Sequence, residues 1–329
     1  MNRRDLLGLG LASLSATALT PLAASAQGKY PERPIKLMVA FSAGGVNDVV
    51  ARQWAERVKT ILGSVYVENQ GGGGGVIGTS EIARAQPDGY TIGLGSTSTM
   101  VLNPMTMAKV PYDAAKDFVP IVIIAVSTTS IVVHESVPVR TLQELIAYAK
   151  ANPGKLSYGS AGTGTMSNLS GELFKQLTGL NDLVHIPYKG AGPGITDLVS
   201  GHIPMMTPNV TGQVLEFHRT GKMRVLAVTS PTHLIAAPEL PIAGELGFPG
   251  LTVTGSIGLL APTGTPIEII EQIAQATRMA VAEPTYRQML TDAGMEAPLD
   301  SNPEAFRQSL AADVALWAPV VKSLELKLD

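Results

Sequence analysis

The chain has 329 residues, of which 45% are hydrophobic and 16% charged; this length suits two domains, and the mixture excludes a disordered chain. Its 24 Lys and Arg against 27 Asp and Glu leave a net charge of −3, without the basic excess or basic runs of a nucleic-acid binder. Cysteine is absent, which excludes disulfides, thiolate catalysis and Cys-based zinc sites.

Residues 1–26 read as an export signal. Arg3 and Arg4 precede an apolar stretch from Leu6 to Leu22, interrupted by Pro21, and Ala24-Ser25-Ala26 supplies a cleavage site. The adjacent arginines suit twin-arginine export as well as the Sec route. The expected location is the periplasm, free of a lipid anchor because no Cys stands at the cleavage site.

Short apolar runs then alternate with amphipathic ones, the pattern of an α/β chain with parallel strands. A strand over Ile35 to Phe41 leads through Gly44-Gly45 into a helix over 47–62, whose Val50, Trp54, Val58 and Leu62 recur at helical spacing. A strand at 65–68, a helix at 76–84, the turn Pro87-Asp88-Gly89 and a strand at 90–94 complete a βαβαβ unit. An extended apolar stretch follows from Val119 to Val133. Thr141 and Glu144 form a capping box for a helix through Lys150. Strands are expected at 156–158, 184–186, 203–206 and 225–228, with helices at 167–177, 195–199 and 213–219 between them. A second extended stretch runs from Leu251 to Leu260. Thr265-Pro266 opens a helix to Ala282, and Ser301 with Glu304 caps a last one reaching Val321. The two extended stretches predict two crossings between domains. Residues 27–126 plus 252–329 would form a discontinuous first domain and 127–251 a second, hinged for closure on a ligand.

Two glycine-rich turns join a strand end to a helix start, one in each expected domain. The first is Phe41-Ser42-Ala43-Gly44-Gly45, and the second is Ser160-Ala161-Gly162-Thr163-Gly164-Thr165 after Gly159. Free backbone N–H groups and the helix dipole make such turns anion sites. Two facing turns would grip the ends of a small dianion. Gly71 to Gly75 lacks the Lys-Ser or Lys-Thr of a P-loop and reads as a flexible loop over the cleft mouth. Motifs of the G-x-S-x-G, S-x-x-K and H-E-x-x-H types are missing. His134, His185, His202, His218 and His233 fit no metal-ligand spacing and read as mostly surface or turn residues. A Ser/His/Asp set assembled in space is still compatible with the sequence. Asp48 and Arg52 read as an i,i+4 ion pair.

Several short stretches, in order, resemble the substrate-binding proteins of tripartite tricarboxylate transporters, the Bug family, along nearly the whole expected mature chain. They include Tyr30-Pro31-Glu32-Arg33-Pro34-Ile35, Gly44-Gly45-Val46-Asn47-Asp48, Pro87-Asp88-Gly89-Tyr90, Leu156-Ser157-Tyr158-Gly159-Ser160, Pro187-Tyr188-Lys189-Gly190 and Leu259-Leu260-Ala261-Pro262. The resemblance implies a type II periplasmic-binding-protein fold, two α/β lobes joined by two crossover strands with the ligand cleft between them. It implies a carboxylate held by amides, hydroxyls and water at Phe41 to Gly45 and Ser160 to Thr165. Thr97, Ser98, Pro208 and Asn209 would line the cleft. Asn168, Ser256 and Pro204 depart from residues frequent in the family, which gives weight to a partly apolar or aromatic dicarboxylate. The expected protein is therefore a monomeric periplasmic receptor that delivers a small carboxylate to a membrane permease, without enzyme activity, cofactor or metal. A sensor docking on a signalling protein and a periplasmic serine hydrolase are the alternatives.

Overall fold

The computed structural model describes residues 30–298 and 301–325, so the expected export signal lies outside the described residues. In chain order the elements are β1 (Ile35–Val39), α1 (Val46–Leu62), β2 (Val65–Asn69), α2 (Val76–Ala83), β3 (Thr91–Ser96), α3 (Asn103–Thr106), β4 (Phe118–Thr128) and β5 (Ser130–His134). They continue with α4 (Leu142–Ala151), β6 (Ser157–Ser160), α5 (Met166–Thr178), β7 (Val184–Pro187), α6 (Ala191–Val199), β8 (Met205–Met206), α7 (Gly212–Arg219) and β9 (Met223–Val228). β10 (Thr254–Pro262), α8 (Ile267–Ala282), α9 (Pro284–Asp292) and α10 (Pro303–Ser323) close the chain.

Two five-stranded sheets result, in the orders β2-β1-β3-β10-β4 and β7-β6-β8-β5-β9. Each contains three parallel strands followed by an antiparallel one, β10 in the first sheet and β5 in the second. Helices cover the sheets, so central strands are apolar on both faces: Ile35, Leu37, Met38 and Val39 are all buried. The apolar stripe of α1 packs inward through Val50, Trp54, Val58 and Leu62, and the Trp54 indole donates to Thr277 Oγ1 of α8 at 3.0 Å.

The chain passes between the sheets twice. β4 and β5 are separated by Thr129 alone, and residues 229–253 link β9 to β10. Three buried threonines tie these passages together. Thr229 Oγ1 lies 2.8 Å from Thr129 Oγ1 and 3.1 Å from Thr128 Oγ1, and it accepts from Thr129 N–H at 3.1 Å. Thr128 Oγ1 donates to Val253 O at 2.9 Å.

Some local expectations shift. Asn302, not Ser301, caps α10, accepting from Ala305 N–H at 2.9 Å. Ser301 is instead buried, and its hydroxyl accepts from Ile123 N–H of β4 at 2.6 Å. Thr141 caps α4 as expected, but Glu144 reaches back to Arg140 N–H rather than Thr141 N–H. The glycine run is not an open loop: Gly73–Gly75 form a 3-10 turn leading into α2, with Gly74 and Gly75 buried.

Candidate functional site

The carboxyl ends of the parallel strands in both sheets point to one interlobe cleft, where ligands of open α/β sheets bind. From the first sheet come residues 41–45 after β1, 70–75 after β2 and 97–103 after β3. From the second come 160–165 after β6, 188–192 after β7 and 207–209 after β8.

The lobes touch across this cleft. Ser42 N–H and Ser42 Oγ both donate to Lys189 O at 3.2 Å. On the other side, Met166 N–H donates to Ser98 Oγ at 3.1 Å. The glycines allow backbones to meet here. A Cβ added to Gly192 would lie 2.0 Å from Ala43 O, and one added to Gly74 would lie 2.1 Å from Thr163 O. The two predicted turns therefore do not face each other directly. Phe41 to Gly45 faces the start of α6, while Ser160 to Thr165 faces Gly74 and the 98–107 segment.

Within the second turn most amides are already engaged. Ala161 N–H donates to Ser167 Oγ, Gly162 N–H to Ser160 Oγ and Gly164 N–H to Asn168 Oδ1. Thr165 accepts from Asn168 N–H through its hydroxyl, capping α5. Thr163 N–H and Ser167 N–H have no partner among the described residues. Unpartnered amides of this kind at the start of a helix, here the thirteen-residue α5 with its dipole, are groups that can accept an anion. Asn168 is buried, bonded both to the turn and to Tyr158 OH, so it braces the loop.

In the first turn Gly44 N–H donates to Asp48 Oδ2 at 3.0 Å, and Arg52 pairs with Asp48 Oδ1 at 2.9 Å. Burial opposes the charged form of Asp48, but the Arg52 and Gly44 hydrogen bonds outweigh it and lower its pKa. Phe41 O accepts from Asn69 Nδ2 at 3.0 Å.

Thr97 is fully buried. Its hydroxyl donates to Asp313 Oδ2 at 2.6 Å and accepts from Ser256 N–H at 2.9 Å, tying β3 to β10 and α10. Asn209 donates to Ser127 Oγ at 3.1 Å, and Pro208 O accepts from Ser130 N–H at 2.9 Å, so both sit at the first crossing. Sequence reasoning missed Asn103, whose amide nitrogen donates to Gly74 O at 2.9 Å while its buried Oδ1 has no partner. Ser96 Oγ, at the end of β3, is likewise buried and unpaired. A ligand or ordered water satisfies such groups in binding sites. His185 was also missed. It is partly buried, with Nε2 2.6 Å from Ser160 Oγ and its ring stacked on Tyr158. This is not a hydrolytic triad: among the described residues Nδ1 meets the Asn168 amide at 3.5 Å and makes no hydrogen bond to a carboxylate.

Two lobes of matching strand order, joined by two crossings with a polar cleft between them, define a type II periplasmic-binding-protein fold. The description "Tripartite tricarboxylate transporter family receptor" matches residues 50–326. The chain is 33% identical to Protein BugT of Bordetella pertussis over 331 residues, covering 100% of both. Among solved structures, periplasmic binding protein BugD superposes with a TM-score of 0.87 at 34% identity, over 91% of this chain and 99% of that one. The R. palustris protein Rpa4515, solved with adipate, gives 0.86 at 31% identity, over 91% and 99%. The chain belongs to the tripartite tricarboxylate transporter receptor family, the Bug-type solute-binding proteins, and is a binding receptor rather than an enzyme.

Proposed function

We propose that the protein is exported to the periplasm, captures a small dicarboxylate between its lobes by hinge closure, and delivers it to the membrane permease of a tripartite tricarboxylate-type transporter. The observation that carries this reading is the cleft itself. Free amides of Thr163 and Ser167 at the start of α5 lie next to the interlobe hydrogen bond from Met166 to Ser98, and Ser42 bonds Lys189 across the other side of the same cleft. An anion held there is surrounded by groups from both lobes, so it binds the closed form better than the open one and shifts the population toward it. The adipate held by Rpa4515, a relative matched over 99% of its chain, supports an aliphatic dicarboxylate. The lobes would correspond to residues 27–126 plus 252–329 and to 127–251.

A thermal-shift screen of the processed protein, stripped of carried-over ligand, tests this against aliphatic and aromatic mono-, di- and tricarboxylates. A ligand at a hundred times its Kd adds about 2.7 kcal/mol, worth several degrees in Tm. A shift with dicarboxylates is expected. A flat response to all carboxylates from folded protein would refute the reading.

A further inference from the structure

Ser160, at the root of the second turn, stands between a backbone donor, Gly162 N–H, and a ring nitrogen of His185 that can either accept its hydroxyl hydrogen or donate to it. Its Oγ accepts from Gly162 N–H at 3.1 Å and lies 2.6 Å from Nε2 of His185. When Nε2 is unprotonated, the Ser160 hydrogen is donated to it, and Ser160 serves only to brace Gly162. When both ring nitrogens carry protons, Nε2 donates to Oγ instead, and the Ser160 hydrogen is released toward the turn. Protonation also places a positive charge within two hydrogen bonds of Gly162. Both changes favour an anion.

The surroundings favour the neutral ring. Tyr158 and Ser160 face it from β6, and Asn168, Glu172 and Lys175 from α5. Tyr158 stacks on the ring at 4.9 Å between centroids. Among the described residues Glu172 is the only acid acting on the ring, and its charge is taken up elsewhere, by Tyr158 OH at 2.5 Å and Lys175 Nζ at 3.0 Å. Burial is the main influence on the imidazole and lowers its pKa to about 4, with Glu172 pulling upward and Lys175 downward.

We propose that His185 is a positioning residue that couples carboxylate capture at the Ser160–Thr165 turn to uptake of one proton from solvent at Nε2. The inference rests on the carboxylate reading of the cleft. By linkage, the factor by which the proton strengthens carboxylate binding equals the factor by which the carboxylate strengthens proton binding.

The test is calorimetric titration of the full processed protein with adipate at pH 7.5 and 5.0, each in two buffers of different ionisation enthalpy. His185→Gln keeps an acceptor for the Ser160 hydroxyl but cannot gain the charge. Adipate's own protonation is common to both proteins and cancels in the comparison. At pH 5.0 the wild type should take up more protons per adipate than His185→Gln, and the affinity ratio of wild type to variant should rise several-fold from pH 7.5 to 5.0. Equal proton uptake with adipate bound by both overturns the coupling and leaves the carboxylate reading intact. No binding of any carboxylate by either protein overturns both. A histidine NMR titration of the wild type gives an independent readout that does not depend on the variant folding. Adipate should move the His185 midpoint upward, and an unmoved midpoint in the saturated complex refutes the inference.

Discussion

Replacing Gly192 by alanine places one methyl group between two backbones that meet across the cleft. The added Cβ would lie 2.0 Å from Ala43 O and 3.4 Å from Gly44 Cα. An ordinary carbon–oxygen contact is about 3.5 Å, so the lobes would have to part locally by more than 1 Å. Neither atom belongs to a side chain, so no rotamer change absorbs the clash. Parting on that scale carries the two Ser42 bonds to Lys189 O, each 3.2 Å, beyond hydrogen-bond distance. At about 0.5–1.5 kcal/mol each, their loss from the closed form should weaken adipate binding by roughly 5- to 150-fold. Folding should not suffer. Gly192 lies in the first turn of α6, where alanine is favoured over glycine by up to about 1 kcal/mol. Calorimetry gives the affinity, and a ligand-free melt gives the stability. Unchanged affinity, or a clear fall in the ligand-free Tm, would refute the argument that this contact governs closure.

Thr229→Val removes the hydroxyl that bridges both crossings, leaving Thr129 N–H without that acceptor. It should cost about 1–3 kcal/mol and lower Tm by several degrees, while Thr229→Ser, which keeps the hydroxyl, should lose less. Acid sensitivity follows from His185, which titrates at about 4 in the folded protein against 6.5 when unperturbed. Between those values the unfolded chain binds the extra proton, so this contribution to stability is complete above pH 6.5 and falls as pH drops toward 4. The gap amounts to roughly 3 kcal/mol, and denaturant melts of His185→Gln should show a flatter profile over that window. Asp313 has its pKa raised by burial, opposed by the Thr97 hydrogen bond. Its ionised form is therefore disfavoured on folding, and Asp313→Asn, which keeps an acceptor for Thr97, should raise Tm at pH 7 and lose that advantage at pH 3.

The sequence disclosed most of the framework because its signals are local. The periodic apolar residues of α1, the Thr141 cap of α4 and the glycines that end β1 and β6 each specify structure within a few residues. Helix α9, and α3 with the π-helical turn Ser98–Leu102 that runs into it, were missed. Both are short, and α9 begins at Pro284, with only Glu283 between it and the end of α8, so the same proline marks the end of one helix and the start of the next. The cap of α10 was displaced by one residue because Ser301 and Asn302 are equally good caps locally. The choice depends on Ile123, 178 residues away. The site was legible only as far as its turns. That Gly74 meets the second turn, that Gly192 meets Ala43 and that Asn103 holds Gly74 are long-range contacts with no local signature. His185 was hidden for the same reason. Its partner Ser160 lies on the neighbouring strand, and nothing at residue 185 alone distinguishes it from an exposed histidine.

A crystal structure of the processed protein grown with adipate tests the central claim most directly. The account predicts closed lobes, with one carboxylate of adipate in the cleft accepting hydrogen bonds from Thr163 N–H or Ser167 N–H. Adipate bound elsewhere, such as the groove beside the crossings lined by Ser230, Leu234, Met295 and Glu296, with the cleft amides unliganded, would contradict it.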